Sequence, residues 1–213
     1  MTDPNATVKA QAEEIVADGK NIRSQLSHVV ARNANERERS GGLVDLVRTV
    51  IDGARKGLAK ATPEEKDDSL RKVVDALGDG LSHSALAAQL ALKEAAGSSR
   101  RFANADLARL RDELASVRDH FTETIDRELA VGKTFTKEQA AAARRHAERV
   151  AERVGPALET ALDAVRQHPL EVAKESIAAG VSAAQSAAGS LFQAVGQMLE
   201  RTGHELRHEG PHK

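Results

Sequence analysis

Residues 104–125 read NADLARLRDELASVRDHFTETI, and the spacing of their apolar side chains decides the fold class of the chain. These side chains recur every three or four residues and are Leu107, Leu110, Leu114, Val117, Phe121 and Ile125. Such heptad-like spacing places them on one face of an α-helix, a face suited to pairing with another helix at a shallow angle. The stretch therefore predicts a helix that packs against other helices.

The same helical periodicity extends along most of the chain, and two capping boxes mark where helices begin. Thr62-Pro63-Glu64-Glu65 places Pro at the first helical position, and Thr136 is followed by Gln139 at the capping-box spacing. No stretch alternates β-branched with polar residues over five or more positions, so no strand is expected. The sequence predicts an all-α, antiparallel bundle of about five to six amphipathic helices, some of them long and kinked.

Glycine and proline indicate where the predicted helices weaken or bend. Gly53 and Gly57 weaken the amphipathic helix that begins near residue 43. A kink is expected where Gly78 and Gly80 flank Asp79 in the next helix. Gly155-Pro156 should bend the helix over residues 137–167, because Pro removes one backbone hydrogen bond.

The charged, Gly-terminated stretch 33–42 reads as a linker and divides the predicted bundle from what precedes it. We expect an N-terminal helical segment and linker over residues 1–41 and a helical bundle over 42–206. Residues 207–213 contain Gly210-Pro211 and are expected to form a disordered tail.

Composition narrows the classes of function. The chain has no Cys, Trp or Tyr and a net charge of −1, which gives no thiolate site and no general attraction to nucleic acid. Carboxylates fall beside Lys and Arg on polar helix faces, a pattern typical of solvated ion pairs. We therefore expect no catalytic residues, no cofactor and no nucleic-acid partner. The acidic N-terminus has no apolar core of a signal peptide, so a cytoplasmic protein is expected.

The longest uncharged run is Ser176–Leu199, SIAAGVSAAQSAAGSLFQAVGQML, and it lies within a last helix predicted from His168-Pro169 to about Leu206. On a helical projection its large apolar side chains share about a third of the circumference. They form the predicted interaction surface and are Ile177, Val181, Leu191, Phe192, Val195, Met198 and Leu199.

Three environments could cover this apolar stripe. A transmembrane span is disfavoured, because Gln and Ser would enter the hydrocarbon and no Trp or Tyr belt is present. The interior of a helix bundle, formed with partner helices or a second copy, is favoured. A lipid-like surface is the third environment, because interfacial helices that sense packing defects have such uncharged polar faces.

The stretch VSAAQSAAGSLFQAVGQML within this run resembles, in its Ala- and Gln-rich amphipathic character, the phasins, which coat bacterial polyester storage granules. Chain size and the absence of Cys and Trp add to this resemblance. It implies a coat protein on a lipid or polyester granule surface.

Histidines near the C-terminus suggest a further alternative. His204 and His208 lie one helical turn apart and are weak candidates for metal ligands. A carboxylate-bridged metal bundle needs the Glu-x-x-His pattern twice, and Glu205-x-x-His208 has no second copy. A solvated last turn, in which cationic His favours the helix dipole, is the preferred interpretation.

The sequence thus predicts a non-enzymatic structural or interaction protein whose Ala-rich amphipathic helices self-associate as a homo-oligomer or bind partner helices. A phasin-like coat protein and a metal-binding helical bundle remain alternatives.

Overall fold

Seven α-helices lie in the part of the chain that the computed structural model describes, residues 4–34, 42–97, 101–131, 133–167, 188–189 and 191–208. They are α1 (Pro4–Asp18), α2 (Ile22–Ala34), α3 (Leu43–Gly57), α4 (Pro63–Gly97), α5 (Asn104–Ala130), α6 (Lys137–Gln167) and α7 (Leu191–His208). Two short strands, β1 (Arg101–Phe102) and β2 (Ala188–Gly189), pair in parallel. The predicted all-α bundle is confirmed.

Both predicted capping boxes form. The Thr62 N–H donates to Glu65 Oε2 at 2.8 Å, and the Glu65 N–H donates to Thr62 Oγ1 at 3.3 Å. The Thr136 N–H donates to Gln139 Oε1 at 3.0 Å, and the Gln139 N–H donates to Thr136 Oγ1 at 3.2 Å. Each box satisfies two backbone donors that a helix start leaves open, and so fixes where α4 and α6 begin.

The first six helices form two layers, each of three helices packed side by side. In one layer α3 lies between α1 and α5, and in the other α4 lies between α2 and α6. Extensive packing of α5 on α6 joins the layers, while α7 packs mainly on α4. One hydrophobic core runs through both layers and includes buried side chains from all seven helices.

Ion pairs show how the helices are directed. Arg118 pairs with Glu159 and Arg144 pairs with Asp126, so α5 and α6 run antiparallel. Neighbouring helices within a layer run in the same direction. In the α4–α6 pair, for example, Gln139 reaches Pro63 near both helix starts. Consecutive helices therefore alternate in direction, as in an up-and-down bundle.

The layers are tight because glycines on α3 and α4 let neighbouring helices approach closely. A Cβ at Gly57 would lie 2.6 Å from the Glu13 carbonyl oxygen, and one at Gly53 would collide with the Lys9 carbonyl oxygen of the same helix α1. A Cβ at Gly80 would lie 2.5 Å from Val30 Cβ on α2. These glycines, predicted to weaken or kink the helices, are positions of closest packing, and α4 continues through Gly80 as one helix.

The N-terminal helices share the core with the rest of the bundle. Val8 and Val16 of α1 and Leu26 of α2 are buried in the same cluster as α3 and α4. Gly19 and Asn21, both with positive φ (72° and 50°), separate α1 from α2. Residues 35–41 lie outside the described residues. The predicted division at residue 41 therefore stays a prediction, although helices from both sides contribute to one core.

The structure differs at two places from the prediction for the last helix. Ala188–Gly189 is a strand and α7 begins only at Leu191, so the helix expected from residue 168 does not run unbroken to its end. The pairing of β2 with β1 gives these residues backbone partners that a sequence pattern of two residues cannot reveal. Arg207 and His208, assigned to the tail, belong to α7. Residues 168–187 and 209–213 lie outside the described residues.

Candidate interaction site

Two charged side chains on α3, Asp52 and Arg55, link the three helices of the first layer. Asp52 accepts a hydrogen bond from Arg55 on its own helix and forms an ion pair with Lys9 of α1. Arg55 also donates to the Val131 carbonyl oxygen, just beyond the end of α5, at 2.8 Å. We call Lys9, Asp52, Gly53 and Arg55 the first Asp–Gly junction, because the close approach at Gly53 brings these charges together.

The charges of this junction shift each other's pKa. Burial raises the pKa of Asp52, but hydrogen bonds from Lys9 and Arg55 outweigh it and hold this pKa below its usual value of 3.8. The hydrogen bond to Asp52 raises the pKa of Lys9 above 10.5. Asp52 and Lys9 therefore both stay charged over a wide range of pH, and their attraction stabilises the contact between α1 and α3.

A second junction links the three helices of the other layer in the same way. Asp79 of α4 accepts two hydrogen bonds from Arg23 of α2, at 2.6 and 3.1 Å. It also accepts one from Arg153 of α6 at 3.3 Å, and Arg153 lies equally close to Asp75. Arg23, Asp79, Gly80 and Arg153 form the second Asp–Gly junction. Asp79 precedes Gly80, as Asp52 precedes Gly53.

His146 of α6 extends the second junction. Its Nε2 lies 3.2 Å from Asp75 Oδ1, a close approach without the alignment of a hydrogen bond. Its Nδ1 lies 3.2 Å from a guanidinium nitrogen of Arg149. Because a guanidinium only donates hydrogen bonds, Nδ1 is the acceptor in this contact.

The predicted interaction surface lies inside the protein where the structure describes it. Leu191, Phe192 and Val195 are buried, and Met198 and Leu199 are partly buried against the core. The opposing surface is the C-terminal half of α4, where small side chains predominate and Ala88, Ala91 and Ala95 are all buried. The packing of α7 is mainly on α4, where Ala91 and Ala95 lie across from Ala194 and Met198, while Phe192 lies against Arg109 of α5.

Two residues of α5 hold the first turn of α7. Asp106, which is buried, accepts a hydrogen bond from the Leu191 N–H at 3.4 Å. The Arg109 guanidinium lies over the Phe192 ring, 4.9 Å from its centre, and donates to Glu113 at 2.7 Å. A carboxylate at a helix start accepts an unpaired N–H and interacts favourably with the helix dipole. Asp106 and Arg109 therefore anchor α7 from a neighbouring helix.

The contact between α4 and α7 is less tightly filled than the layers. It contains a cavity of about 40 Å³ lined by Ala91, Glu94, Ala95, Ala194, Gln197, Met198 and Arg201. That volume is close to the space of one water molecule and far below the few hundred Å³ typical of small-molecule sites. At its rim Arg201 lies 3.6 Å from Glu94.

Several predicted site residues are not placed by the structure. Ile177 and Val181 lie outside the described residues. His204 and His208 are in α7, but its described side chains end at Arg201, so their metal-ligand role stays a prediction. Elsewhere in the described part of the chain, no three His, Asp or Glu side chains are grouped to hold a metal ion.

Sequence reasoning did not find the two Asp–Gly junctions. It interpreted the carboxylates beside Lys and Arg on polar helix faces as solvated ion pairs and took the glycines of α3 and α4 for positions that weaken or kink the helices. The signal was present in IDGARKG (51–57) and LGDGLS (77–82), where an Asp adjoins Gly inside an apolar helical pattern. In this protein each such pair lies at a close helix contact with a charge at its edge.

Fold and site together define an all-helical protein in which ion pairs link closely packed helices. The chain belongs to the family of unknown function DUF6781, whose family model matches residues 2–206. No curated protein and no solved structure matches the chain. Among the helices that the structure describes, none combines the length and apolar character needed to cross a membrane.

Proposed function

We propose that this protein is a non-enzymatic structural or interaction protein whose Ala-rich amphipathic helices self-associate or bind partner helices. The observation that carries the proposal is the contact of α7 with α4, in which an apolar helix face lies on a face rich in alanine. Small side chains let helix backbones approach closely, and an amphipathic helix lying in such a groove is a common form of protein recognition.

Sedimentation equilibrium over a wide range of concentration tests self-association. The expected result is a mean mass that rises above the 22.7 kDa of a single chain as concentration increases. A mass that stays at 22.7 kDa throughout contradicts self-association. Circular dichroism at each concentration checks that the helices remain folded.

A phasin-like coat on a lipid or polyester granule surface is the alternative for the same stripe. Because Leu191 and Val195 are buried, coating would require α7 to leave α4. Co-sedimentation with liposomes or granules compares the native chain with the Leu191→Glu, Val195→Glu double variant. Gln193→Glu, an exposed position on the same helix, is the matched control. If the double variant sediments like the native chain, the coating alternative is wrong.

A metal-binding bundle would use His204 and His208. Elemental analysis of untagged protein, before and after treatment with a chelator, tests this alternative. A metal-free sample whose melting temperature does not respond to the chelator removes it.

A further inference from the structure

Helices α4 and α6 approach each other closely at Gly78, where a Cβ would collide with a methyl carbon of Val150 on α6. About one turn before this contact on each helix lie Asp75 of α4 and His146 of α6. Their side chains are only 19% and 17% exposed. A charge on His146 is therefore partly buried between the two helices, where salt screens it less than at an open surface.

The ring of His146 has a different neighbour at each nitrogen. Its Nδ1 lies 3.2 Å from a guanidinium nitrogen of Arg149, which is three residues further along α6. Its Nε2 lies 3.2 Å from Asp75 Oδ1 and, although buried, has no hydrogen-bond partner. One nitrogen thus faces a cation of its own helix, and the other faces an anion of the neighbouring helix.

Protonation of the ring decides which of these two neighbours it can bind. A neutral imidazole has one nitrogen that accepts, so Nδ1 can accept a hydrogen bond from Arg149. A protonated imidazole only donates, so this bond is lost and the ring repels the guanidinium. Nε2 then carries a proton beside Asp75, where a charge-assisted hydrogen bond becomes favourable. Histidine side chains ordinarily change charge between about pH 5 and 8.

The other charged side chains on the helices around this ring pair with one another. In the described part of the chain these pairs are Arg153 with Asp75 and Asp79, Arg23 with Asp79, Lys72 with Asp68, Arg144 with Asp126, and Arg118 with Glu159. Arg153 shares Asp75 with the ring and holds this carboxylate in place at the contact. The charged groups that the described contacts place against the ring itself are Asp75 and Arg149.

We propose that His146 is a proton-operated switch that binds Arg149 of its own helix when neutral and Asp75 of α4 when protonated. Acid thus replaces a contact within α6 by one that joins α6 to α4, and it frees the exposed guanidinium of Arg149. The gain at Asp75 and the loss at Arg149 oppose each other, so the contacts change more than the overall stability does. The switch acts within one chain and does not depend on self-association.

Double-mutant cycles at about pH 7.5 and about pH 5.5 test the switch, because a cycle separates the interaction of two side chains from all other titrating groups. One cycle combines His146→Gln with Asp75→Asn, and the other combines His146→Gln with Arg149→Gln. Urea unfolding followed by circular dichroism gives the unfolding equilibrium constant of each variant. The coupling of His146 to Asp75 should stabilise the fold about two- to fivefold more at the lower pH. The coupling of His146 to Arg149 should be favourable at the higher pH and unfavourable at the lower.

A control cycle and a measurement on the native chain support this test. His83→Gln combined with Asp75→Asn is the matched control, since His83 is an exposed histidine about two turns further along α4. Its coupling to Asp75 should be the same at both pH values. In the native chain labelled with 15N, the Nε2–H signal of His146 should become visible at the lower pH, because the bond to Asp75 slows exchange of this proton with water. Asp75→Asn should weaken this signal.

Two results would overturn the switch. Equal coupling of His146 to Asp75 at both pH values would show that the protonated ring does not bind Asp75. A coupling of His146 to Arg149 that keeps its sign would show that acid does not break this contact. If a variant fails to fold, the native chain decides, and absence of the Nε2–H signal at the lower pH then contradicts the switch.

Discussion

The Asp–Gly junctions and the α7 interface join helices by opposite means. At the junctions glycines bring helix backbones into direct contact, and ion pairs and hydrogen bonds of charged side chains connect three helices around the contact. At the α7 interface Ala91 and Ala95 of α4 face Ala194, Gln197, Met198 and Arg201 across a cavity of about 40 Å³, and the anchors Asp106 and Arg109 lie at one end. We therefore expect α1–α6 to unfold as one unit, while α7 should detach from the other helices separately and at a lower free energy.

The largest difference between the two regions is expected when two equally buried leucines are replaced by alanine. Leu114 on α5 and Leu191 on α7 are 1% and 0% exposed. Leu114→Ala should lower the free energy of global unfolding by about 2–5 kcal/mol, because it leaves a cavity in a close-packed core. Leu191→Ala should lower the global value much less and mainly reduce hydrogen-exchange protection of α7.

Urea unfolding followed by circular dichroism, with hydrogen exchange read by mass spectrometry, measures both effects. Equal losses in global stability for the two variants would show that α7 unfolds together with the layers.

Replacing glycine by alanine should change stability in opposite directions in the two regions. Gly80→Ala places a methyl group against Val30 and the Ser27 carbonyl oxygen, and overpacking of this kind costs about 1–3 kcal/mol. Gly196→Ala on α7 meets nothing within 4 Å and should stabilise that helix by up to about 1 kcal/mol through helix propensity. Thermal melting measures the first change, and exchange protection of α7 measures the second. A neutral or stabilising Gly80→Ala contradicts the close approach of α2 and α4.

The first junction should make the α1–α6 unit sensitive to acid. The pKa of Asp52 is held below 3.8 in the folded protein, so its contribution to stability is present above that pH and is lost as pH falls through the folded value. Asp52→Asn should lower stability at neutral pH by about 1.5–3 kcal/mol, because hydrogen bonds to a charged group are lost. Its stability should then fall less steeply than that of the native chain below about pH 4.

Asp68→Asn is the matched control for this comparison, since Asp68 is exposed and pairs only with Lys72 on its own helix among the contacts described. Urea midpoints measured from neutral to acid pH report both variants. Parallel pH profiles for Asp52→Asn and the native chain would contradict the role of Asp52.

The smallest effect is expected at the anchor of α7. Arg109→Ala removes the guanidinium from the Phe192 ring, an interaction that contributes about 0.5–1 kcal/mol at partly exposed sites. Opening of α7 should become about two- to fivefold more frequent, while the global unfolding midpoint changes little. Hydrogen-exchange rates of α7 amides provide the measurement, and Arg111→Ala, two residues along α5 and exposed, is the control. Unchanged α7 exchange in Arg109→Ala would show that the stacking does not anchor the helix.

Local signals in the sequence predicted the elements of the fold well. Capping boxes and regular Leu and Val spacing act within one or two helical turns, so Thr62, Thr136 and the Leu107–Ile125 face were identified correctly. The same reasoning failed at Ala188–Gly189, because a strand of two residues depends on its partner, Arg101–Phe102, which is 87 positions earlier in the chain.

The candidate site could be predicted only in part. The apolar stripe was identified on the correct helix face at Leu191, Phe192 and Val195, since amphipathicity is a local property. Its covering by α4 was one of three environments that the sequence left open. Asp52 and Asp79 were missed, because nothing in their own helices indicates which cations lie opposite.

The sequence by itself determined the helical class, the starts of α4 and α6 and the inward faces of the helices, because hydrogen bonds and side-chain periodicity within a few residues decide these properties. The tertiary structure alone decided that Gly53 and Gly80 are contact points, that Asp79 links three helices, that Asp52 links two and that α7 packs mainly on α4. Those features depend on which helices become neighbours, and that choice is made by packing of the whole core.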